Sequence, residues 1–387
     1  MTKIAAFNVE NLFDRAKAFN EAADDAQEAI RAVAELNSIF EETNYTPARK
    51  TRILELVEIL KLNRFNEGPL ALIRKIREPI LKRPKNGPIQ VVADGRDEWI
   101  GWAELKTAPV NETAVLNTGR VIRDVDADIL AVVEAEDRVA LKKFTEFVFA
   151  QVNGELPPAE RPDPYANIML IDGNDDRGID VGLMTKSGFD IGTMRSHIHD
   201  LKDDGHPVYS RDCPEYSVTT PDGDTIWVLP NHFKSKFGGN NPASVAKRRA
   251  QAERTAEIYQ SLRAGGEDNV VVLGDLNDTP DSDPLQPLLA QTDLKDVSTH
   301  PVFDVGEFNV PASNTSDGIG TFGLGNDNQK IDYLLLSPSL FDRVSSAGMF
   351  RKGVWPGSAP KRWDVYDSLV KKVHVASDHH VIWAEIV

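Results

Sequence analysis

Only one cysteine, Cys213, stands in the 387 residues. That excludes an internal disulfide framework and suits a reducing compartment. No window approaches the roughly 20 apolar residues of a membrane span. The apolar patch at residues 4–7 gives way to Asn8 and Glu10, too short for a secretory leader. These absences make the cytoplasm the expected address. Aromatic residues are scarce at 7%, which limits surfaces for base stacking. Basic residues are outnumbered, 44 against 60 acidic, giving a net charge of −16. That balance argues against a simple nucleic-acid binder, since phosphate contacts need Lys and Arg. It does not exclude one, because carboxylates gathered around a cation add negative charge that the ion offsets locally.

Charge is also unevenly spread. Residues 10–45 hold nine acidic and three basic side chains, and residues 46–90 hold eleven basic and four acidic. Residues 22–40 are rich in Ala and Glu, and Ile53, Val57 and Leu60 recur at helical spacing, as do Leu70, Ile73 and Ile76. The prolines between 79 and 88 end that pattern. Residues 15–88 are therefore expected to form a helical insertion within a single domain spanning 1–387. Its basic stripe, with Arg49, Lys50, Arg52, Lys61 and Arg64, reads either as the solvated side of a packed helix pair or as a grip on a nucleic-acid backbone.

Elsewhere the apolar runs are short. Residues 89–93 and 99–105 predict a hairpin around Asp94-Gly95-Arg96-Asp97. A helix over 112–125 leads into 128–133, a continuous apolar run typical of a strand buried on both faces. Further strands are expected at 168–171, 181–184, 216–220, 225–229, 270–273, 333–336 and 381–386, with a helix over 243–262. Many short strands with few helices between them predict a two-sheet α/β sandwich rather than a doubly wound parallel sheet.

The polar residues with chemical potential fall at the ends of these runs. Asn8 and Glu10 follow the first strand, Glu134 follows 128–133, and Asp275 and Asn277 follow 270–273. Asp332 begins one strand, and Asp378 and His379 precede the last. Residues two apart in extended chain share a face, so Asp275 and Asn277 can point together. A hard cation such as Mg²⁺ or Mn²⁺ seeks oxygen ligands of this kind. Hydrolysis of a phosphodiester also needs a group to deprotonate water and one to stabilise the transition-state charge, tasks that suit histidine. A carboxylate such as Asp332 could fix the tautomer of His379. Taken singly these residues have plainer explanations: Asp275 and Asn277 as a turn, Glu134 as solvated, His232 as structural. Gly318-Ile319-Gly320-Thr321-Phe322-Gly323 matches a dinucleotide-binding pattern, but it follows a polar loop and opens no helix, so that reading is rejected.

Seven segments in order resemble the successive motifs of the endonuclease/exonuclease/phosphatase superfamily. They are Phe7-Asn8-Val9-Glu10-Asn11-Leu12-Phe13, the run 128–134, Arg177-Gly178-Ile179-Asp180-Val181, Asn231-His232-Phe233-Lys234-Ser235-Lys236, Gly274-Asp275-Leu276-Asn277, Ile331-Asp332-Tyr333 and Ser377-Asp378-His379. The resemblance covers residues 1–13 and about 112–387 and leaves the insertion unmatched. It implies a four-layer αββα sandwich of two mixed sheets, with the site at the rim of the sheets. It implies a Mg²⁺ or Mn²⁺ held by Asn8 and Glu134, with Glu10 nearby and Asp378 completing the shell. By the same resemblance Asp275 and Asn277 position the water, His379 with Asp332 stabilises the phosphate or acts as base, and His232 contacts phosphate. Arg177 and Asp180 would bind substrate, although a carboxylate at 180 repels phosphate unless it is protonated or metal-bound; apart from the resemblance, Arg248, after His232, reads either as steering phosphate to the site or as part of a solvated helix face.

The expected activity is phosphodiester hydrolysis, with DNA or RNA as the first substrate class and a small phosphorylated metabolite or lipid headgroup as the second. A binding protein that keeps the fold without catalysis is the third reading. Retention of Glu134, Asp275, Asn277, Asp378 and His379 speaks against it. No protein partner is expected.

Overall fold

The computed structural model describes residues 1–10, 23–106, 111–175, 178–236, 241–309, 318–358 and 360–387. The chain divides into two compact units, one formed by Met1–Phe13 with Val110–Val387, the other by Asp14–Pro109.

The larger unit is built on alternation. In the strand Thr2–Asn8, Ile4 and Ala6 enter one apolar cluster while Ala5 and Phe7 enter another. Ile129 and Ala131 split in the same way from Leu130 and Val132. Val271 and Leu273 split likewise from Val270 and Val272. A strand apolar at every position must be covered on both faces, and these are. The sheet through Thr2–Asn8 has seven strands, in the order Phe303–Asp304, Val344–Phe350, Val381–Ile386, Thr2–Asn8, Ile129–Ala135, Asp180–Lys186 and Tyr165–Leu170. The second has six: Lys295–Asp296, Asp332–Leu336, Val270–Asp275, Thr225–His232, Glu215–Thr219 and Asp190–Arg195. Both are mixed. Thr2–Asn8 runs parallel to Ile129–Ala135 and antiparallel to Val381–Ile386. Thr225–His232 runs parallel to Val270–Asp275, which is antiparallel to Asp332–Leu336.

One apolar cluster joins residues of both sheets, among them Ile4, Leu183, Val228, Leu273 and Leu334, so the sheets pack face to face. The helix Glu112–Val125 covers the outer face of the first sheet through Val121, Ile122 and Val125. The helix Pro242–Ala264 covers the second through Ala252, Ile258 and Tyr259. The result is the αββα sandwich expected from the sequence.

The Asp14–Pro109 unit contains the two helices foreseen, Ala23–Phe40 and Pro47–Ile59. It also contains two short two-stranded sheets. The helical reading of 70–76 is corrected: Ala71–Arg77 is a strand, with Ala71 and Ile73 buried and a register shift between Lys75 and Arg77. A spacing of three is compatible with an irregular strand as well as with a helix. The expected hairpin is corrected too. Ile100–Leu105 pairs with Ala71–Arg77, and Gln90–Val91 pairs with Leu81–Lys82. Trp99, fully buried against Phe40 and donating to the Tyr45 hydroxyl at 2.8 Å, anchors the unit's own core. Among the described residues, no helix is long and apolar enough to cross a membrane.

Candidate active site

The parallel pairs carry their C-terminal ends to one edge of the sandwich. Asn8 pairs with Val133, one residue before Glu134, and His232 pairs with Asp275. Asp275 also pairs with Asp332 in the antiparallel direction. The close approach of these strands requires glycine at 274, where a Cβ would lie 2.2 Å from the Asn231 carbonyl oxygen.

At this edge the backbone leaves its regular course. Glu10, Glu134 and Asn277 adopt left-handed conformations, with φ of 50°, 67° and 55°. Glu134 sits at the irregularity between Val133 and Ala135, which turns it out of the alternation. Such conformations cost a non-glycine residue about 1 kcal/mol or more and persist where the surroundings enforce them.

The side chains converge. His379 Nδ1 and Asp332 Oδ2 are 2.8 Å apart, and the Nε2 of that ring faces Asp275 Oδ2 at 4.0 Å and Asp378 Oδ1 at 3.7 Å. His232 Nε2 lies 3.7 Å from Glu134 Oε1 and 3.8 Å from Asp275 Oδ2. These gaps are too long for hydrogen bonds and short enough for a bridging atom. Asp275 accepts from the Asn277 backbone at 2.8 Å, from Asn277 Nδ2 at 3.0 Å and from Asn8 Nδ2 at 3.2 Å. Asn8 Oδ1 accepts from the Glu10 backbone at 3.0 Å, and Glu10 Oε2 from the Asp378 backbone at 3.2 Å. The chain thus brings Asn8, Glu10, Glu134, His232, Asp275, Asn277, Asp332, Asp378 and His379 to one rim.

Burial pushes the Asp275 carboxyl up to about 8, and the neighbouring Asp332 and Glu134 add to the rise. Burial works against a charge on His379, but Asp332, Asp275 and Asp378 outweigh it and hold its pKa well above the ordinary imidazole value. The arrangement therefore has a protonated imidazole beside a carboxylate reluctant to ionise. Asp275, Asp332 and His379 form a buried group whose ligand atoms lie within 4.8 Å of one another and could hold a metal ion. Within that group Asp332 and His379 are bonded to each other, while Asp275 accepts from Asn277 and Asn8. A surplus of buried carboxylate with a raised pKa is the donor chemistry that a divalent cation complements.

Asp180 pairs with Ala135 at the same end of its sheet. Its Oδ1 accepts from the Gly173 backbone at 2.9 Å, and burial together with Asp172 and Asp175 raises its pKa to about 7. Arg177 lies outside the described residues. Arg248 requires a correction. Its guanidinium is fully buried, donates to Asp278 at 2.9 Å and to the Lys234 carbonyl at 3.2 Å, and is spent on fixing the loop after Asp275.

Three residues escaped the sequence reading. The Thr321 hydroxyl accepts from the backbone of Ile331 at 3.0 Å and Asp332 at 2.8 Å. The Phe322 ring meets His379 edge-on at 4.9 Å. The Ser377 hydroxyl donates to the Asn8 carbonyl at 2.7 Å and accepts from the His379 backbone at 2.9 Å, tying the last motif to the first. The only signal for Thr321 and Phe322 was the glycine-rich segment rejected as a nucleotide loop. It serves instead as a brace for the His379–Asp332 pair.

Several solved structures are similar to this chain. A mannosyl-6-phosphatase from Bacteroides thetaiotaomicron is similar at 16% identity, over 71% of this chain and 90% of that one, with a TM-score of 0.47. The human Nocturnin catalytic domain is similar at 13% identity, over 72% and 88%, with a TM-score of 0.47. Truncated TDP2 from Caenorhabditis elegans is similar at 14% identity, over 70% and 90%, with a TM-score of 0.44. No curated protein matches the chain. The sequence profile described as Endonuclease/Exonuclease/phosphatase family matches residues 123–352, more than half of the chain and most of the rim just described. The chain belongs to the endonuclease/exonuclease/phosphatase family.

Proposed function

We propose that this protein is a Mg²⁺- or Mn²⁺-dependent phosphodiester hydrolase acting on nucleic acid. The observation that carries the reading is the His379–Asp332 pair facing Asp275 across a rim that also holds Glu134 and His232. Glu134 and Asn8 would hold the divalent ion, with Glu10 and Asp378 beside them. When bound, such an ion supplies charge stabilisation at a phosphoryl oxygen and acidifies a water. Asn277 orients Asp275 through two hydrogen bonds. Asp275, with its raised affinity for a proton, is suited to accept one from the attacking water. His379, held protonated by Asp332, is suited to donate toward the phosphate as charge builds on it. His232 offers a second donor from the opposite side of Asp275. A partly protonated Asp180 can face a phosphate without the repulsion of a full charge.

The test is hydrolysis of bis-p-nitrophenyl phosphate, p-nitrophenyl phosphate and labelled single- and double-stranded DNA and RNA. Each is run with Mg²⁺, Mn²⁺ or EDTA, and with Asp275→Ala. The expected result is diester cleavage with Mg²⁺ or Mn²⁺, none in EDTA, and a loss of at least about a thousandfold in the variant. Cleavage of the monoester alone would replace the reading with a phosphatase. Cleavage that persists in EDTA would sink the metal dependence.

A further inference from the structure

The cations of the Asp14–Pro109 unit fall into two groups. Those at the start of its second helix are neutralised: Arg49 by Glu42, Lys50 by Asp94, and Arg52 by Glu35 and Glu55. Residues 61–85 hold eight basic and two acidic side chains. Here Lys61, Arg64, Lys75, Lys82 and Lys85 are exposed and have no ion pair among the described residues. Of the two acids, Glu67 is bound by Lys106.

Aromatic surface lies among these cations. Phe65 is 70% exposed and Trp102 42% exposed. The loop that carries Phe65 is held from behind by Arg83, which donates to the carbonyls of Leu62 at 2.8 Å and Asn63 at 3.0 Å and to Asn66 Oδ1 at 2.8 Å. Next to Phe65 the chain runs beside one edge of Ala71–Arg77, with Glu67 bridged to Leu72 and Ile73 N donating to Asn66 O. Ile100–Leu105, with Trp102 opposite Arg74, runs along the other edge. Phe65 and Trp102 thus flank the strand bearing Arg74 and Lys75. Glu104 pairs with Arg74 and accepts from the Trp102 indole at 2.9 Å, which fixes the ring by its edge. Lys61, Arg64 and Phe65 line a depression of about 510 Å³ together with Glu58 and Glu67, the latter bound by Lys106.

We propose that this surface of the Asp14–Pro109 unit binds single-stranded nucleic acid, with Lys61 and Arg64 on the backbone phosphates and Phe65 and Trp102 stacking on bases. In a chain of net charge −16, a run of uncompensated cations complements a polyanion. Exposed rings on a braced loop and strand add a sequence-tolerant affinity that a duplex, with its bases already stacked, does not gain. The proposal concerns binding alone and stands whether or not the rim cleaves what is bound.

The experiment is fluorescence anisotropy of a labelled oligothymidylate of about 15 nucleotides with the full chain in EDTA, over a series of salt concentrations. The same variants are assayed for bis-p-nitrophenyl phosphate hydrolysis with metal. Lys61→Glu/Arg64→Glu is expected to weaken binding at least about tenfold and to flatten the salt dependence by roughly one unit of slope. Phe65→Ala is expected to weaken it about fivefold or more, and Phe65→Tyr to restore it. Hydrolysis of the small diester should be unchanged in all three. Wild-type affinity in the charge-reversed variant would overturn the proposal. So would binding to phosphatidylserine vesicles with none to the oligonucleotide, or equal affinity for a duplex that Phe65→Ala leaves intact. Oligonucleotide binding by a wild type that hydrolyses nothing would sink the hydrolase reading and leave this one standing.

Discussion

The rim of the sandwich and the surface around residues 61–85 both gather charge of one sign, and they do so by opposite means. At the rim, Glu10, Glu134, Asp275, Asp332 and Asp378 are drawn together by strand ends, and Asp275 and Asp332 are almost fully buried. There the cost of ionisation surfaces as a raised pKa. Around 61–85 the cations stand in solvent and keep their charge at little cost, spaced by rings and turns. Burial makes the rim selective for something small, multivalent and cationic. Exposure makes the other surface tolerant, suited to a long and flexible polyanion. The neighbouring helix shows the ordinary alternative, in which Arg49, Lys50 and Arg52 each find an acid. Density of charge alone therefore marks neither region as functional: burial distinguishes the rim, and the absence of an ion pair at Lys61, Arg64, Lys75, Lys82 and Lys85 among the described residues distinguishes the other surface.

That contrast yields an ordered set of expectations. The largest effect is at Asp275. Asp275→Asn should lower diesterase activity at least about a thousandfold, since the group serves both proton transfer and charge placement. In EDTA the same variant should melt several degrees higher than wild type, because the repulsion it relieves is no longer opposed. The sign follows from linkage. A carboxyl whose folded pKa is raised to about 8 makes the folded state lose stability as pH rises from about 5 to 8, so the gap should widen over that range. Equal melting at pH 5 and pH 8 in EDTA would show that the rim carboxylates are already compensated.

Next comes Arg248, the compensated counterpart within the same unit. Arg248→Met leaves Asp278 with Lys236 alone and should cost about 3–5 kcal/mol in denaturant unfolding. Activity per folded molecule should fall no more than about a hundredfold, the upper range for a residue that acts by supporting others. A drop as deep as that of Asp275→Asn would make Arg248 part of the catalytic set. The smallest effect is at Arg52. Arg52→Ala should leave oligonucleotide affinity within about twofold and the melting temperature unchanged, since exposed pairs contribute little. A loss matching that of Lys61→Glu/Arg64→Glu would erase the distinction between paired and unpaired cations.

Legibility from sequence followed the same physics. The strands Ile129–Ala135 and Val270–Asp275 could be read because two-sided burial admits few residue types, and the helix Glu112–Val125 matched its expected span. The rim residues could be read because a strand end gives a polar side chain one place to go. Ala71–Arg77 was misread because Leu70, Ile73 and Ile76 satisfy either period when a bulge shifts the register. Strands Asp190–Arg195 and Val344–Phe350 were missed. The first is largely exposed and the second carries Ser345, Ser346 and Gly348, so neither shows an apolar run. Arg248 was misjudged because sequence places an arginine near a motif without saying that Asp278 will claim it. Thr321 and Ser377 act through hydroxyl bonds to backbone that no spacing rule announces.

The left-handed backbone at Glu10, Glu134 and Asn277 has a consequence for how this protein can change. Glycine would relax each of these positions, by about 1 kcal/mol where the residue is a glutamate. A lineage or a directed-evolution campaign rewarded for heat resistance alone would find those substitutions early. At Glu134 the change would yield a tougher molecule stripped of a carboxylate at its rim. Robustness and turnover are set against each other at that codon.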